Sequence, residues 1–280
     1  MNELVLVVIS LIWLFFASYT DFKIREVPDW ISYSLIIIGI AFYLIKSLIF
    51  NNFIFIIQSL FSLLILYLIG SLMYYLRQWG GGDVKLLSAI GALFPVYPEE
   101  LLKYFNPNLN LSFILILILN IIIFGVLYSI IYSFYLVIKN KNKIKFNFKV
   151  KKIYLISSIL FLILTFLIKD LILKLLILLL ALLILIYPYI KNFVSLIEKN
   201  IMIKRIPLNK LTEGDWVIEN IYYKRKLIYN KNNPGVTNSD IKLFEKVNVK
   251  NLLIKEGLPF IPSFLIALLI SLILGNLLRI

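Results

Sequence analysis

Two short runs hold the residues best suited to chemistry. Asp21 follows Ser18-Tyr19-Thr20 at the end of one apolar block, and Asp83 follows Gly80-Gly81-Gly82 at the start of another. Both acids border stretches apolar enough to enter a bilayer, where an ionisable group is costly and is seldom retained without function. Two carboxylates held close together cannot both ionise easily, so they share a proton. The ionised partner can then take a proton from water while the protonated one polarises a carbonyl. Such hydrolysis needs no imidazole, thiolate or metal. The chain has no His and no Cys, which excludes imidazole bases, thiol nucleophiles and disulfides and removes the commonest zinc ligands. No metal and no cofactor is expected.

Plainer roles compete for the same residues. Asp21 could pair with Lys23 or Arg25 in headgroup water, and the negative end of its own helix dipole makes it a poor cap there. Asp83 could be an ordinary N-cap. Gly80, Gly81 and Gly82 would give the backbone freedom before it, through positive φ or by close approach of another main chain. Asp29, after Pro28, reads as the N-cap of a second span, with a place at a substrate entrance as the other reading. Asp170 has the helix spacing for an ion pair with Lys174. The acids and the glycine-broken segment would also suit a small cation transporter or channel.

The elements that must position these residues are membrane spans. The 280 residues are 61% hydrophobic with mean hydropathy +0.93, and the apolar residues come in bilayer-length blocks. Spans are expected at 4–19, 30–50, 53–75, 83–97, 113–138, 154–168, 171–190 and 262–278. The apolar stretch from 153 to 190 is too long for one crossing of about 30 Å, so two spans should meet near Lys169 and Asp170. The first block lacks the basic flank and cleavage site of a secretory signal and reads as a retained span.

Charge sets the expected orientation. Segments after the first, third, fifth and seventh spans hold 24 of the 29 Lys and Arg, which puts them, and the ends bearing Asp21 and Asp83, in the cytoplasm. Residues 199–257 turn polar, with Gly214-Asp215 and Asn233-Pro234-Gly235 as turn signals and β-leaning runs Trp216-Val217-Ile218 and Ile221-Tyr222-Tyr223. The expected fold is an all-α polytopic membrane protein of seven to eight transmembrane helices with a small α+β cytoplasmic insertion. Residues 1–198 form the bundle with both aspartates, 199–257 the insertion and 258–280 the final helix. The basic face of the insertion suits anionic lipid better than nucleic acid, and no nucleic-acid partner is expected.

These motifs resemble the type IV prepilin and archaeal preflagellin peptidases, membrane aspartic peptidases of the GxGD kind. The run from Asp21 through Lys23, Arg25, Val27 and Pro28 to Asp29 is similar to that family's Asp-x-(Lys/Arg)-x-(Arg/Lys)-x-(Ile/Val)-Pro, and Gly80-Gly81-Gly82-Asp83 to its second motif. The likeness covers roughly residues 1–100. Glu256-Gly257-Leu258-Pro259-Phe260-Ile261-Pro262 resembles the segment before the last span of archaeal members. The resemblance implies catalytic Asp21 and Asp83 and removal of a short basic leader from pilin-like or flagellin precursors at the cytoplasmic face of the cell membrane. Glu26 and Asp29 would then help to draw the basic leader, and the three glycines would border the substrate. The cysteine-bearing amino-terminal region of bifunctional bacterial members has no counterpart, so peptidase activity without methylation is expected. A presenilin-like Pro-Ala-Leu motif is missing as well.

Overall fold

The computed structural model describes residues 3–143 and 151–278. Lys145, Lys149 and Arg279, counted above for orientation, lie outside them. Nine α-helices and five short strands follow one another among the described residues: α1 Leu4–Ile24, α2 Asp29–Ile49, α3 Ile54–Tyr75, α4 Gly81–Leu93, α5 Phe113–Lys139, α6 Lys152–Leu167, α7 Leu171–Ile197, β1 Ile203–Pro207, β2 Trp216–Val217, β3 Ile221–Tyr223, β4 Lys226–Tyr229, α8 Asn238–Lys246, β5 Asn251–Lys255 and α9 Ile261–Ile273. Five helices are long and apolar enough to cross a membrane: α1, α2, α3, α5, and α7 with its continuation to Met202; α6 and α9 are shorter apolar helices. This is a polytopic membrane protein with a small sheet region.

The chain forms two compact units, one of Met1–Tyr132 with Arg205–Ile280 and one of Ser133–Lys204. In the first, α4 is the innermost helix. Val84 and every residue from Leu86 to Leu93 are buried, so a segment too short to be a comfortable span is instead wrapped by other helices. Its backbone is approached closely on two sides. A Cβ on Gly39 of α2 would meet the carbonyl of Ala92 at 2.8 Å, and one on Gly91 would meet the Ser62 carbonyl of α3 at the same distance. Small residues permit such approaches where helices pack without water. Hydroxyls lock the far end of α4: Ser59 Oγ donates to the Ala92 carbonyl at 2.8 Å and Tyr43 to the Leu93 carbonyl at 3.2 Å.

Within the same unit the polar segment has a core of its own, with Val217, Tyr229, Phe244 and Leu252 buried together. Strand order is β1-β5-β2, with β3 and β4 a separate hairpin. Gly214 takes φ +94°, a turn conformation that favours glycine. In the second unit, α6 and α7 are separate helices, as the length of the apolar stretch requires. Asp170 caps α7 by accepting from the Leu173 amide at 2.8 Å. The expected ion pair with Lys174 does not form among the described residues, because the carboxylate satisfies an orphan N–H of the first turn instead.

Candidate active site

Asp21 sits in the last turn of α1, at the carboxyl end of that helix as expected although the helix runs past the expected span end at residue 19, and is 7% exposed. A carboxylate at a helix carboxyl end meets the negative end of the dipole and needs donors from elsewhere. They come from α9: the Ile261 amide donates to Asp21 Oδ2 at 3.0 Å, and the Phe260 amide also donates to the carboxylate. Both are orphan amides at the start of that helix, where Pro262 follows at an early position that needs no N–H. Asp21 therefore does cap a helix, but one that begins 240 residues later in the chain.

Asp83 is the third residue of α4, not its N-cap. Gly80 takes the cap position with extended backbone, and its amide donates to Asp83 Oδ2 at 2.8 Å, the back-reaching half of a capping box. None of Gly80, Gly81 and Gly82 adopts positive φ, so the expected need for left-handed backbone is corrected. What the structure demands at Gly82 is room, since a Cβ there would meet Val27 Cβ at 3.2 Å. Gly81 is exposed, with nothing within 4 Å of a Cβ position.

The two acids lie within electrostatic reach of one another across the bundle, the charge of Asp21 acting on the Asp83 carboxyl. Aromatic packing secures the approach: Trp79, just before the glycines, lies 5.4 Å from the rings of both Phe260 and Phe264. The loop ahead of Asp83 and the helix start that holds Asp21 are thus one packed cluster. Phe260 also abuts α5, where a Cβ on Gly125 would meet its ring at 2.6 Å.

Of the other expected residues, Asp29 is the first residue of α2 with Pro28 as the cap, which corrects its reading as N-cap. It pairs with Lys85 at 2.6 Å and ties the starts of α2 and α4. Glu26 is exposed, and its charge, with that of Glu256, acts on Asp215 of the polar segment. Burial pushes the Asp215 carboxyl above the usual carboxylate range. Hydrogen bonds from Thr212 pull it back, and the two glutamates push it further up. Sequence reasoning passed over Asp215 and Glu256 as acids of this neighbourhood. It also missed Tyr128 and Tyr132 of α5, which lie against Phe22 and Arg25 next to Asp21; tyrosines inside a 27-residue apolar helix carry no spacing signal. No group of three or more His, Cys, Asp or Glu able to hold a metal occurs among the described residues.

Comparison with known proteins bears on the same stretch. Residues 8–130 match the type IV leader peptidase family, a region that contains both acids and Tyr128 and ends two residues short of Tyr132. Preflagellin peptidases are similar: that of Methanococcus voltae is 33% identical over 132 residues, 47% of this chain and 56% of the relative. That of Methanococcus maripaludis is 28% identical over 133 residues, 48% and 57% of the two chains. Prepilin peptidase EppA of Methanothermobacter thermautotrophicus is 29% identical over 147 residues, 50% of this chain and 38% of the relative. The chain thus spans little more than half the length of the preflagellin peptidases it matches and less of the prepilin peptidase. No solved structure matches.

Proposed function

We propose that this chain, similar over residues 8–130 to the type IV leader peptidase family, is a membrane aspartic endopeptidase. It removes the short basic leader from pilin-like or flagellin precursors at the cytoplasmic face of the cell membrane, with Asp21 and Asp83 as its catalytic pair. The observation that carries the reading is that these two acids, one at the end of α1 and one at the start of α4, lie within electrostatic reach of each other. A water activated by the ionised carboxylate adds to the scissile carbonyl carbon. The protonated carboxyl hydrogen-bonds the carbonyl oxygen as it becomes a gem-diol, and proton return to the amine expels the new amino terminus. Nothing in that sequence calls for a metal.

The glycines have a defined part in this scheme. Gly81 leaves open space beside Asp83, where an extended main chain can lie without meeting a side chain. Glu26, with Asp215 and Glu256 near it, supplies the negative field for a basic leader. Asp29 contributes less than sequence suggested, because Lys85 offsets its charge. The transport alternative has no comparable support, since the relatives described above are named as peptidases.

The deciding experiment incubates the detergent-solubilised protein with a panel of pilin and flagellin precursors and reads the new amino terminus by mass spectrometry. One defined cut beside the basic leader is expected. Intact precursors across the panel would refute the proposal.

A further inference from the structure

Beside Asp21 lie two buried hydrogen-bond donors that the proton-sharing scheme does not use. The Tyr128 hydroxyl and Arg25 Nη1 are both inaccessible to solvent and have no hydrogen-bond partner among the described residues. Buried donors are rarely left so. Both are near the acid: Asp21 acts electrostatically on Tyr128, as does Arg25, and Arg25 acts on Asp21.

Neither donor is loose. Tyr128 stacks on Tyr132, ring centroids 5.8 Å apart and planes 19° from parallel, and meets the edge of Phe22 at 6.5 Å. Arg25 gives its other terminal nitrogen, Nη2, to the Tyr132 hydroxyl at 2.9 Å and lays its guanidinium 5.5 Å from that ring's centre. Its backbone is left-handed at φ +61°, closing α1 through a 3.1 Å bond from its amide to the Asp21 carbonyl. A non-glycine residue in that conformation is uncommon, and here it turns the guanidinium back toward the aspartate on its own last turn. Gly125, one helical turn before Tyr128, is where Phe260 packs, so the tyrosines share a face of α5 with the start of α9.

We infer that Tyr128 and Arg25 are substrate-contacting residues that together donate to one main-chain carbonyl oxygen of the precursor beside the scissile bond. This rests on the leader-peptidase reading. The chemistry of the acceptor follows from its neighbours. An anion would be repelled by the acids, whereas a peptide carbonyl is neutral, carries two lone pairs and can accept from both donors at once. A chain laid across Asp21 and Asp83 must carry its flanking carbonyls past these groups. Fixing one of them sets the scissile carbonyl against the water and limits rotation of the chain about its length. Tyr132 is a positioning residue in this arrangement, acting through Arg25.

The test uses the full-length protein in detergent and a precursor peptide with one sulfur-for-oxygen replacement at each of the carbonyls flanking the cut, sulfur being the weaker acceptor. In the parent, one thioamide should lower kcat/KM about tenfold, the scale of one or two lost hydrogen bonds. Tyr128→Phe keeps the ring packing. It should lower kcat/KM of the all-oxygen peptide by a similar factor, leave thermal unfolding unchanged, and cut the penalty of that one thioamide to about twofold or less. Arg25→Lys keeps the charge but loses the fork that serves Tyr132 and the substrate at once, and it should lower kcat/KM of the all-oxygen peptide and shrink the penalty of the same thioamide. A parent that cuts no precursor overturns the peptidase reading and this inference together. A parent that cuts, with Tyr128→Phe equally active or with thioamide penalties unaltered by the substitution, overturns the inference and leaves the peptidase standing.

Discussion

The carboxylate of Asp21 accepts the backbone amide of Ile261 at 3.0 Å, so the first helix of the chain is fastened at its end to the beginning of the last. One side chain therefore has two duties, holding α9 and facing Asp83. Substitutions can separate them.

Asp21→Asn retains an oxygen that can accept from Ile261 but cannot share a proton. Cleavage should be abolished with thermal stability within about 0.5 kcal/mol of the parent. Asp21→Ala should be equally inactive and less stable by ~1 kcal/mol, the usual cost of losing a capping side chain. Asp83→Asn should also abolish cleavage, because a proton-sharing pair fails when either partner is lost. Precursor assays beside melting curves in one detergent check all three. Substantial cleavage by either Asn variant removes that acid from the mechanism.

Gly82 and Gly81 should respond differently to a side chain. Gly82→Ala presses on Val27 and should lower kcat several-fold, with Val27→Ala in the same chain restoring much of the loss. At Gly81 a Cβ meets nothing within 4 Å, and Gly81→Leu, on an exposed position, should leave the melting temperature unchanged. Cleavage by it should nevertheless fall steeply if substrate lies there. Full activity in Gly81→Leu would mean that the glycine run only connects α3 to α4.

Asp29 and Glu26, neighbours in sequence, are expected to part in their effects. The Asp29–Lys85 pair is well exposed on the aspartate side, and such pairs contribute no more than about 1 kcal/mol. Asp29→Asn should change KM by less than about twofold. Glu26→Gln should raise KM a few-fold for a leader with basic residues and leave a neutralised leader unaffected, with the contrast fading at high salt. Equal losses of kcat on both leaders would assign Glu26 to holding the loop.

Asp215 offers a test of the acidic neighbourhood that does not depend on activity. Its carboxyl is raised by burial, with Glu26 and Glu256 adding to the shift. Removing a nearby negative charge favours ionisation. Carbon-13 NMR titration of the Asp215 carboxyl should therefore give a lower midpoint in Glu26→Gln than in the parent. An unmoved midpoint would separate Glu26 from the polar segment.

Much of the bundle was legible because bilayer spans are dictated by apolar length. The expected starts and ends of α2, α3, α5 and α6 fall within two residues of the helices observed. The runs at 216–218 and 221–223 mark β2 and β3 because turn residues bracket them. The two acids could be singled out because charge bordering apolar sequence is conspicuous. Their hydrogen bonds could not. Asp21 was judged badly placed for a cap by its own helix dipole, and nothing in its surroundings points to an amide at residue 261. Asp29 and Asp170 were read from neighbours four residues or fewer away. The first instead found a lysine 56 residues on and the second an amide of its own helix. Local spacing ranks the partners a side chain could have, and packing decides among them.

The glycine approaches at Gly39 and Gly91 bear on how a substrate could enter. Backbone against backbone on two sides leaves α4 no slack to turn or slide without separating from α2 and α3. Asp83 then rides on the stationary part of the machine. On the peptidase reading, widening between the acids would fall to the other side, where the Asp21–Ile261 hydrogen bond links the end of α1 to the head of α9. On the proposed reading, a precursor would enter by parting the contacts of Trp79 with Phe260 and Phe264 that close the seam between the glycine loop and α9, with α4 as its fixed jamb.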